Sequence, residues 1–252
     1  VYRYDSETNE FSDVFRTVVT PPGSTTSSYC GSAVHVAHPF VFIACRGDNT
    51  VHVYELTGLS NSLNFRSTYT ESAPAENFGD SLSYEPSTKT LVVGATEEDS
   101  NNGATYILSF DEGTTTLSYI YKLVPVESGD NEQFGHYTAI SGNYLAIGSP
   151  FDDEHATNAG TATLYKWNGT DWTFHQHLHD PGHGLTSSDY LGIHVAMSDR
   201  HIVVGASQYN GNDGAVFIYK WNATSEEYEY RRRLDAPEAG GSFGKSITLD
   251  EM

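Results

Sequence analysis

The chain predicts an all-β fold, a β-propeller of four-stranded antiparallel blades, and three observations carry that reading. One phrase recurs: an apolar residue and Gly, a short strand, a tight turn, then a second strand ending in small residues. An Asn- or Asp-rich loop follows and leads into an aromatic third strand. The leading glycines, Gly31, Gly79, Gly135, Gly192 and Gly244, stand 48, 56, 57 and 52 residues apart, the period of a propeller blade. Within each repeat the apolar residues alternate with period two, not 3.6. The composition agrees, because 38% hydrophobic and 13% aromatic residues, 17 Tyr included, are too many for a disordered chain.

Residues 1–28 read as a partial blade, since Val1-Tyr2-Arg3-Tyr4 matches the third strand Ile218-Tyr219-Lys220-Trp221. The first full repeat, 29–76, is degenerate: Cys30-Gly31, then Ile43-Ala44-Cys45, then Thr50-Val51-His52-Val53-Tyr54. Repeat 77–132 carries Phe78-Gly79, Val92-Val93-Gly94-Ala95 and Asn102-Gly103-Ala104-Thr105-Tyr106. Repeat 133–189 carries Phe134-Gly135, Ala146-Ile147-Gly148-Ser149-Pro150 and Ala159-Gly160-Thr161. Repeat 190–241 carries Leu191-Gly192, Val203-Val204-Gly205-Ala206 and Asp213-Gly214-Ala215-Val216-Phe217. Residues 242–252 open a fifth copy at Phe243-Gly244. About four full blades with partial blades at both ends predict a piece of a six- or seven-bladed propeller. Turns such as Ser141-Gly142-Asn143, Asn168-Gly169 and Asn210-Gly211-Asn212 supply the positive φ angles of tight hairpins.

The fourth strands show the alternation best. Leu117, Tyr119, Tyr121 and Leu123 face away from Ser118, Ile120 and Lys122. Trp172, Phe174, Gln176 and Leu178 face away from Thr173, His175, His177 and His179. Tyr228, Tyr230, Arg232 and Leu234 face away from Glu229, Arg231 and Arg233. Such half-buried strands belong to antiparallel sheets.

Charge narrows the function. Asp and Glu number 33 against 13 Lys and Arg, a formal net charge of −20, which repels phosphate backbones and argues against nucleic acid as a partner. No run of apolar residues is long enough for a transmembrane helix. The chain does not begin with Met and shows no basic-plus-apolar leader, so it reads as a mature or truncated product. No nucleophile elbow, zinc-protease helix, phosphate loop or dinucleotide fingerprint is present, and a non-catalytic role is expected.

Apolar-Gly, then Val-Gly-Ala or Ile-Gly-Ser-Pro, then Gly-Ala-x-aromatic resembles the FG-GAP repeat, which builds the propeller of integrin α chains and of many secreted or surface proteins. The resemblance is close over 77–249 and weaker over 1–70. It implies the propeller fold and a secreted, extracellular or cell-surface setting. Integrin-type repeats often carry a calcium loop between first and second strands. Here those connections are Tyr84-Glu85-Pro86-Ser87-Thr88-Lys89, Ser141-Gly142-Asn143 and Ser198-Asp199-Arg200-His201, too poor in oxygen ligands for calcium. No calcium site, metal site or cofactor is therefore carried over.

Four local features remain. Acidic loops at Glu97-Glu98-Asp99-Ser100-Asn101-Asn102 and Asp152-Asp153-Glu154-His155 read either as a weak cation or docking surface or as a solvated rim. His175, His177, His179 and His183 suggest a transition-metal strand or an exposed polar face. Asn168-Gly169-Thr170 and Asn222-Ala223-Thr224 are N-glycosylation sequons at equivalent hairpin tips. Cys30 precedes the first strand of its blade and Cys45 ends the second, ends that lie close in an antiparallel hairpin; they read as a disulfide or as two buried thiols, and the FG-GAP context favours the disulfide. The expectation is an extracellular adhesion or assembly module whose partners are other extracellular or surface proteins. The alternatives are a glycan-binding, lectin-like propeller, with Trp167 and Trp221 stacking on sugars, and an accessory propeller of a larger secreted enzyme.

Overall fold

The computed structural model describes residues 3–5, 10–12, 19–57, 62–72, 76–126, 131–178 and 184–249. Short strands separated by tight turns arrange themselves as four consecutive antiparallel sheets. Blade 1 is β3 (Cys30–Ala37), β4 (Phe40–Cys45), β5 (Thr50–Thr57) and β6 (Ser62–Thr70), after an N-terminal pair of β1 (Arg3–Asp5) and β2 (Glu10–Ser12). Blade 2 is β7 (Phe78–Glu85), β8 (Thr90–Ala95), β9 (Ala104–Asp111) and β10 (Thr116–Leu123). Blade 3 is β11 (Tyr137–Ser141), β12 (Tyr144–Ser149), β13 (Thr161–Trp167) and β14 (Trp172–Leu178). Blade 4 is β15 (Leu191–Met197), β16 (His201–Ala206), β17 (Ala215–Asn222) and β18 (Glu227–Asp235). In each blade the strands pair in sequence order, and the first strands of successive blades pack on one another. That is the arrangement of a β-propeller.

The β1–β2 hairpin pairs Tyr4 with Phe11 and Asp5 with Glu10. The β17–β18 hairpin pairs Trp221 with Tyr228 and Asn222 with Glu227, with the same loop length. The N-terminal hairpin thus has the loop length of the hairpins between third and fourth strands, which the β7–β8 hairpin shares.

The core lies between blades. Phe42 of blade 1 meets Tyr84 and Phe110 of blade 2 at ring-centroid distances of 5.0 and 5.1 Å. Val92 and Ile107 of blade 2 pack with Leu145, Ile147 and Trp172 of blade 3. Leu164 of blade 3 joins Val204 and Phe217 of blade 4. Second strands are buried throughout in β4 and β8 and after the half-buried first residues Tyr144 and His201 in β12 and β16, because both faces of an inner strand meet a neighbouring blade.

The recurring glycines sit where blade meets blade. A Cβ built on Gly94, Gly148 or Gly205 would stand 2.0 Å from the carbonyl oxygen of Gly135, Gly192 or Gly244, the leading glycine of the next blade. These leading glycines have φ between 87 and 93°, which also favours Gly. Beside each contact the next blade is stitched on by backbone. Phe134 N–H donates to Asn102 O, Leu191 N–H to Ala159 O, and Phe243 N–H to Asp213 O, each at 2.9 Å. Parallel bridges Gly103–Phe134, Gly160–Leu191 and Gly214–Phe243 mark the same three places. At the first junction Ala44 replaces the glycine and contacts Gly79, which is the physical content of the degenerate first copy.

The fourth strands depart from the unbroken alternation expected of them, because each carries a β-bulge. The extra residue is Arg66 in β6, Ile120 in β10, His175 in β14 and Arg231 in β18. A bulge exchanges faces for everything after it. In β14, Phe174 lies opposite Tyr165 whereas Gln176 lies opposite Leu164. These two therefore point to opposite sides, and Phe174 shares a face with His177, 4.8 Å away. Tyr119 and Tyr121, and Tyr230 and Arg232, are separated in the same way.

Candidate binding cleft

A strand that ends at a blade junction presents its last side chains to the rim, and three blades do so together. Tyr29, Cys30, Gly31 and Ser32 come from the start of β3, Asn77 and Asp80 from the start of β7, and Gln133 and His136 from just before β11. Arg46 follows β4, and Thr96 and Glu97 follow β8. Together they line a cleft of about 560 Å³.

Asp80 organises it. Its Oδ1 accepts from Arg46 Nη1 at 2.9 Å, and its Oδ2 accepts from the Thr96 hydroxyl. The carboxylate side chain is 12% exposed and the guanidinium side chain 42%. Arg46 is thus pinned at one edge of the cleft that it lines, with Cζ 5.5 Å from the Tyr29 ring centroid. The Asp80 hydrogen bond holds this guanidinium above its ordinary pKa. Ser32 Oγ donates to Gly79 O at 2.8 Å and closes the floor between blades 1 and 2.

His136 forms the far wall. Burial lowers its pKa against the pull of the Asp80 carboxylate, and its Nδ1 is buried without a partner among the described residues. Behind it, His194 of blade 4 stacks on Tyr137 at 3.5 Å between ring centroids. Burial, with the nearby His136, pushes His194 down to about 4. Between the ordinary 6.5 of an unfolded histidine and 4, the unfolded chain binds the proton and the folded one does not. Stability is therefore lost as pH falls through that window, by on the order of 2–3 kcal/mol from this group. Thermal melts from pH 7.5 to 4 are expected to show this acid sensitivity reduced in His194→Gln. An equal fall in both proteins would rule out the assignment.

The cleft gathers donors and acceptors, and among the described residues no hydroxyl of the cleft bonds to the His136 ring. Its chemistry suits a polar ligand held by hydrogen bonds and one oriented cation.

The local features noted in the sequence have these places. In the first acidic loop Glu98 turns inward, accepting from Tyr106 Oη and Lys122 Nζ at 2.6 Å each, whereas Glu97 lines the cleft. Asp99, Ser100 and Asn101 take left-handed backbone angles, which short polar residues tolerate. In the second loop Asp152 Oδ1 accepts from Glu154 N–H at 2.8 Å and Asp153 Oδ1 from Asn158 N–H at 2.6 Å. Glu98, Asp152 and Asp153 thus fasten loops and side chains. His175 donates through Nε2 to the Glu226 carbonyl at 2.9 Å, while the His177 ring meets Thr163 at 3.2 Å. The bulge thus sends the two imidazoles to separate partners, and His179 and His183 lie outside the described residues.

Asn168 and Asn222 occupy the tips of the β13–β14 and β17–β18 hairpins. Asn168 is exposed, and its Oδ1 accepts from the Thr170 and Asp171 N–H groups at 2.9 Å. Asn222 is half-buried, and its Nδ2 donates to Glu229 Oε1. Cys30 and Cys45, directly opposed on β3 and β4, form a disulfide. Trp167 lies 5.8 Å from Trp172, and Trp221 lies between Tyr144 and Tyr228 at 5.2 and 5.1 Å. Both tryptophans are packed against neighbouring rings. Sequence reasoning missed Arg46, Asp80, Thr96 and His136, because the cleft is assembled from three repeats and no local motif spans it. The available signal was positional: Ser32, Asp80 and His136 all follow a leading glycine.

Residues 118–165 match the family model of the FG-GAP repeat. That FG-GAP window runs from β10 through β13 and includes Phe134-Gly135, Gly148 and Gly160. Two solved structures resemble most of the chain. One is a protein from Lactobacillus plantarum, 12% identical, with a TM-score of 0.54, covering 79% of this chain and 53% of its own. The other is Kuenenia stuttgartiensis hydrazine synthase, 9% identical, with a TM-score of 0.55, covering 87% of this chain and 53% of its own. The present chain thus spans about half the length of each. At these identities the likeness is one of fold alone. No curated protein matches the sequence.

Proposed function

We propose that this chain is a non-catalytic recognition module working outside the cell or at its surface, and that it binds another protein through the cleft of blades 1 to 3. The observation that carries the reading is Arg46, held by Asp80 at the mouth of a polar cleft built on rigid strand ends. Binding residues on a rigid scaffold need little ordering on association. The FG-GAP match and the disulfide support the extracellular setting, in which such bonds persist. The experiment is affinity capture from the matching extracellular fraction with wild type and Arg46→Ala side by side. Proteins retained by wild type and lost by the variant, at unchanged melting temperature, are the expected result. Identical capture by both would remove the cleft from the function.

The same setting makes Asn168 and Asn222 glycan acceptors. Asn168 is expected to carry the higher occupancy, since its side chain is exposed and its Nδ2 has no partner among the described residues. Glycopeptide mass spectrometry of secreted material checks this, and modification at Asn222 alone would contradict it.

A second reading is glycan binding. It is favoured by a groove of about 190 Å³ in which Trp167 and Ile120 stand beside Asn143 and Thr88, a mixture of apolar wall and polar rim suited to a sugar ring. Loss of glycan-array signal in Trp167→Ala, with Arg46→Ala unaffected, would select this reading over the first.

A further inference from the structure

Blade 1 carries a cluster that shares only Cys30 with the lining of the recognition cleft. Cys30 on β3, Cys45 on β4 and His52 on β5 each bring one ligand atom to the same place, all within 4.8 Å of one another. The register explains the convergence. Cys30 lies opposite Cys45, and His52 lies opposite Ile43, two residues before Cys45, so Cys45 and His52 share a face of the sheet. Both are buried, at 0% and 2% exposure.

The imidazole is already oriented. Its Nδ1 lies 2.8 Å from Thr68 Oγ1 and its Nε2 lies 3.1 Å from Thr50 Oγ1. When Nδ1–H donates to Thr68, Nε2 keeps the lone pair and accepts from the Thr50 hydroxyl. A ring nitrogen fixed by an outer hydrogen bond, with the other lone pair free to bind, is the usual state of a metal-ligating histidine. Metal–sulfur bonds of about 2.3 Å and metal–nitrogen bonds of about 2.0 Å place tetrahedral ligand atoms about 3.5–3.8 Å apart, inside the 4.8 Å spread of these three atoms.

We propose that the Cys30–Cys45 bond is one of two closures of this hairpin, and that reduction converts it into a site for a zinc-class divalent cation. A dithiol supplies the two electrons and two protons that turn the disulfide into two thiols, and leaves as its own cyclic disulfide. The cation then displaces the two thiol protons, binds both thiolates and His52 Nε2 in place of the Thr50 hydroxyl, and keeps a fourth position for water. In the oxidised chain the two sulfurs are bonded to each other, and no thiolate is offered.

The test uses the full chain, reduced with a dithiol, freed of it under anaerobic conditions and titrated with cobalt(II). One equivalent is expected to raise a thiolate-to-cobalt charge-transfer band that is absent from the oxidised chain and is displaced by zinc. Cobalt affinity is expected to fall at least tenfold in His52→Ala, judged against circular dichroism of the same variant. Should that variant not fold, proton release from wild type decides: two protons per zinc in the reduced chain at pH 6.5 and none in the oxidised chain. Absence of the band in reduced wild type, equal cobalt affinity in a folded His52→Ala, or equal proton release in both redox states would overturn the proposal.

Discussion

Replacing Gly148 by alanine is expected to destabilise the chain by about 4 kcal/mol, enough to lower the melting temperature by roughly 10 °C. The new methyl group would stand 2.0 Å from the carbonyl oxygen of Gly192 and 2.9 Å from its carbon. Both are backbone atoms of the next blade, so no rotamer change relieves the contact and blades 3 and 4 must separate. Separation would loosen the shared core of Leu164, Val204 and Phe217, which explains a cost beyond ordinary overpacking. The control is Gly211→Ala, where φ is +75° and nothing lies within 4 Å. That change is expected to cost only about 1 kcal/mol of backbone strain. Thermal or urea melts of the two variants separate contact from conformation, and equal losses would mean that the glycine contact does not govern the junction.

Removing the disulfide is expected to have the next largest effect. Cys30 and Cys45 are 15 residues apart in sequence, and a loop of that length corresponds to about 3 kcal/mol of restricted unfolded-chain entropy. Cys30→Ala/Cys45→Ala should therefore lower the urea midpoint under oxidising conditions. The same variant and wild type should converge when both are reduced in the absence of metal. A variant as stable as oxidised wild type would show that blade 1 is held by its sheet alone.

Much of the fold is legible in the residues. Apolar-Gly pairs and small-residue clusters mark the junctions because only a missing side chain allows backbone to touch backbone there. Period-two patterning marks the strands because each has two faces. The bulges at Arg66, Ile120, His175 and Arg231 are not legible, since an extra residue among mixed polar and apolar neighbours leaves no mark on composition. That is why the histidines of β14 look like one face and are not. The cleft is harder still. Arg46, Asp80 and His136 are 34 and 56 residues apart, and only the stacking of blades brings them together. Glu98 shows the converse, since an acidic run reads as a solvated loop until Lys122 and Tyr106 are placed beside one of its carboxylates.

Where two blades touch through main chain, the contact itself makes no demand on side-chain identity, and the choice of neighbour rests with the flanking core, such as Leu164 against Val204 and Phe217. Neighbouring blades need not coevolve at that seam. Side chains on either side of the seam can change while the joint persists. The rim positions beside each seam are free to differ, and Ser32, Asp80 and His136 do differ from one copy to the next.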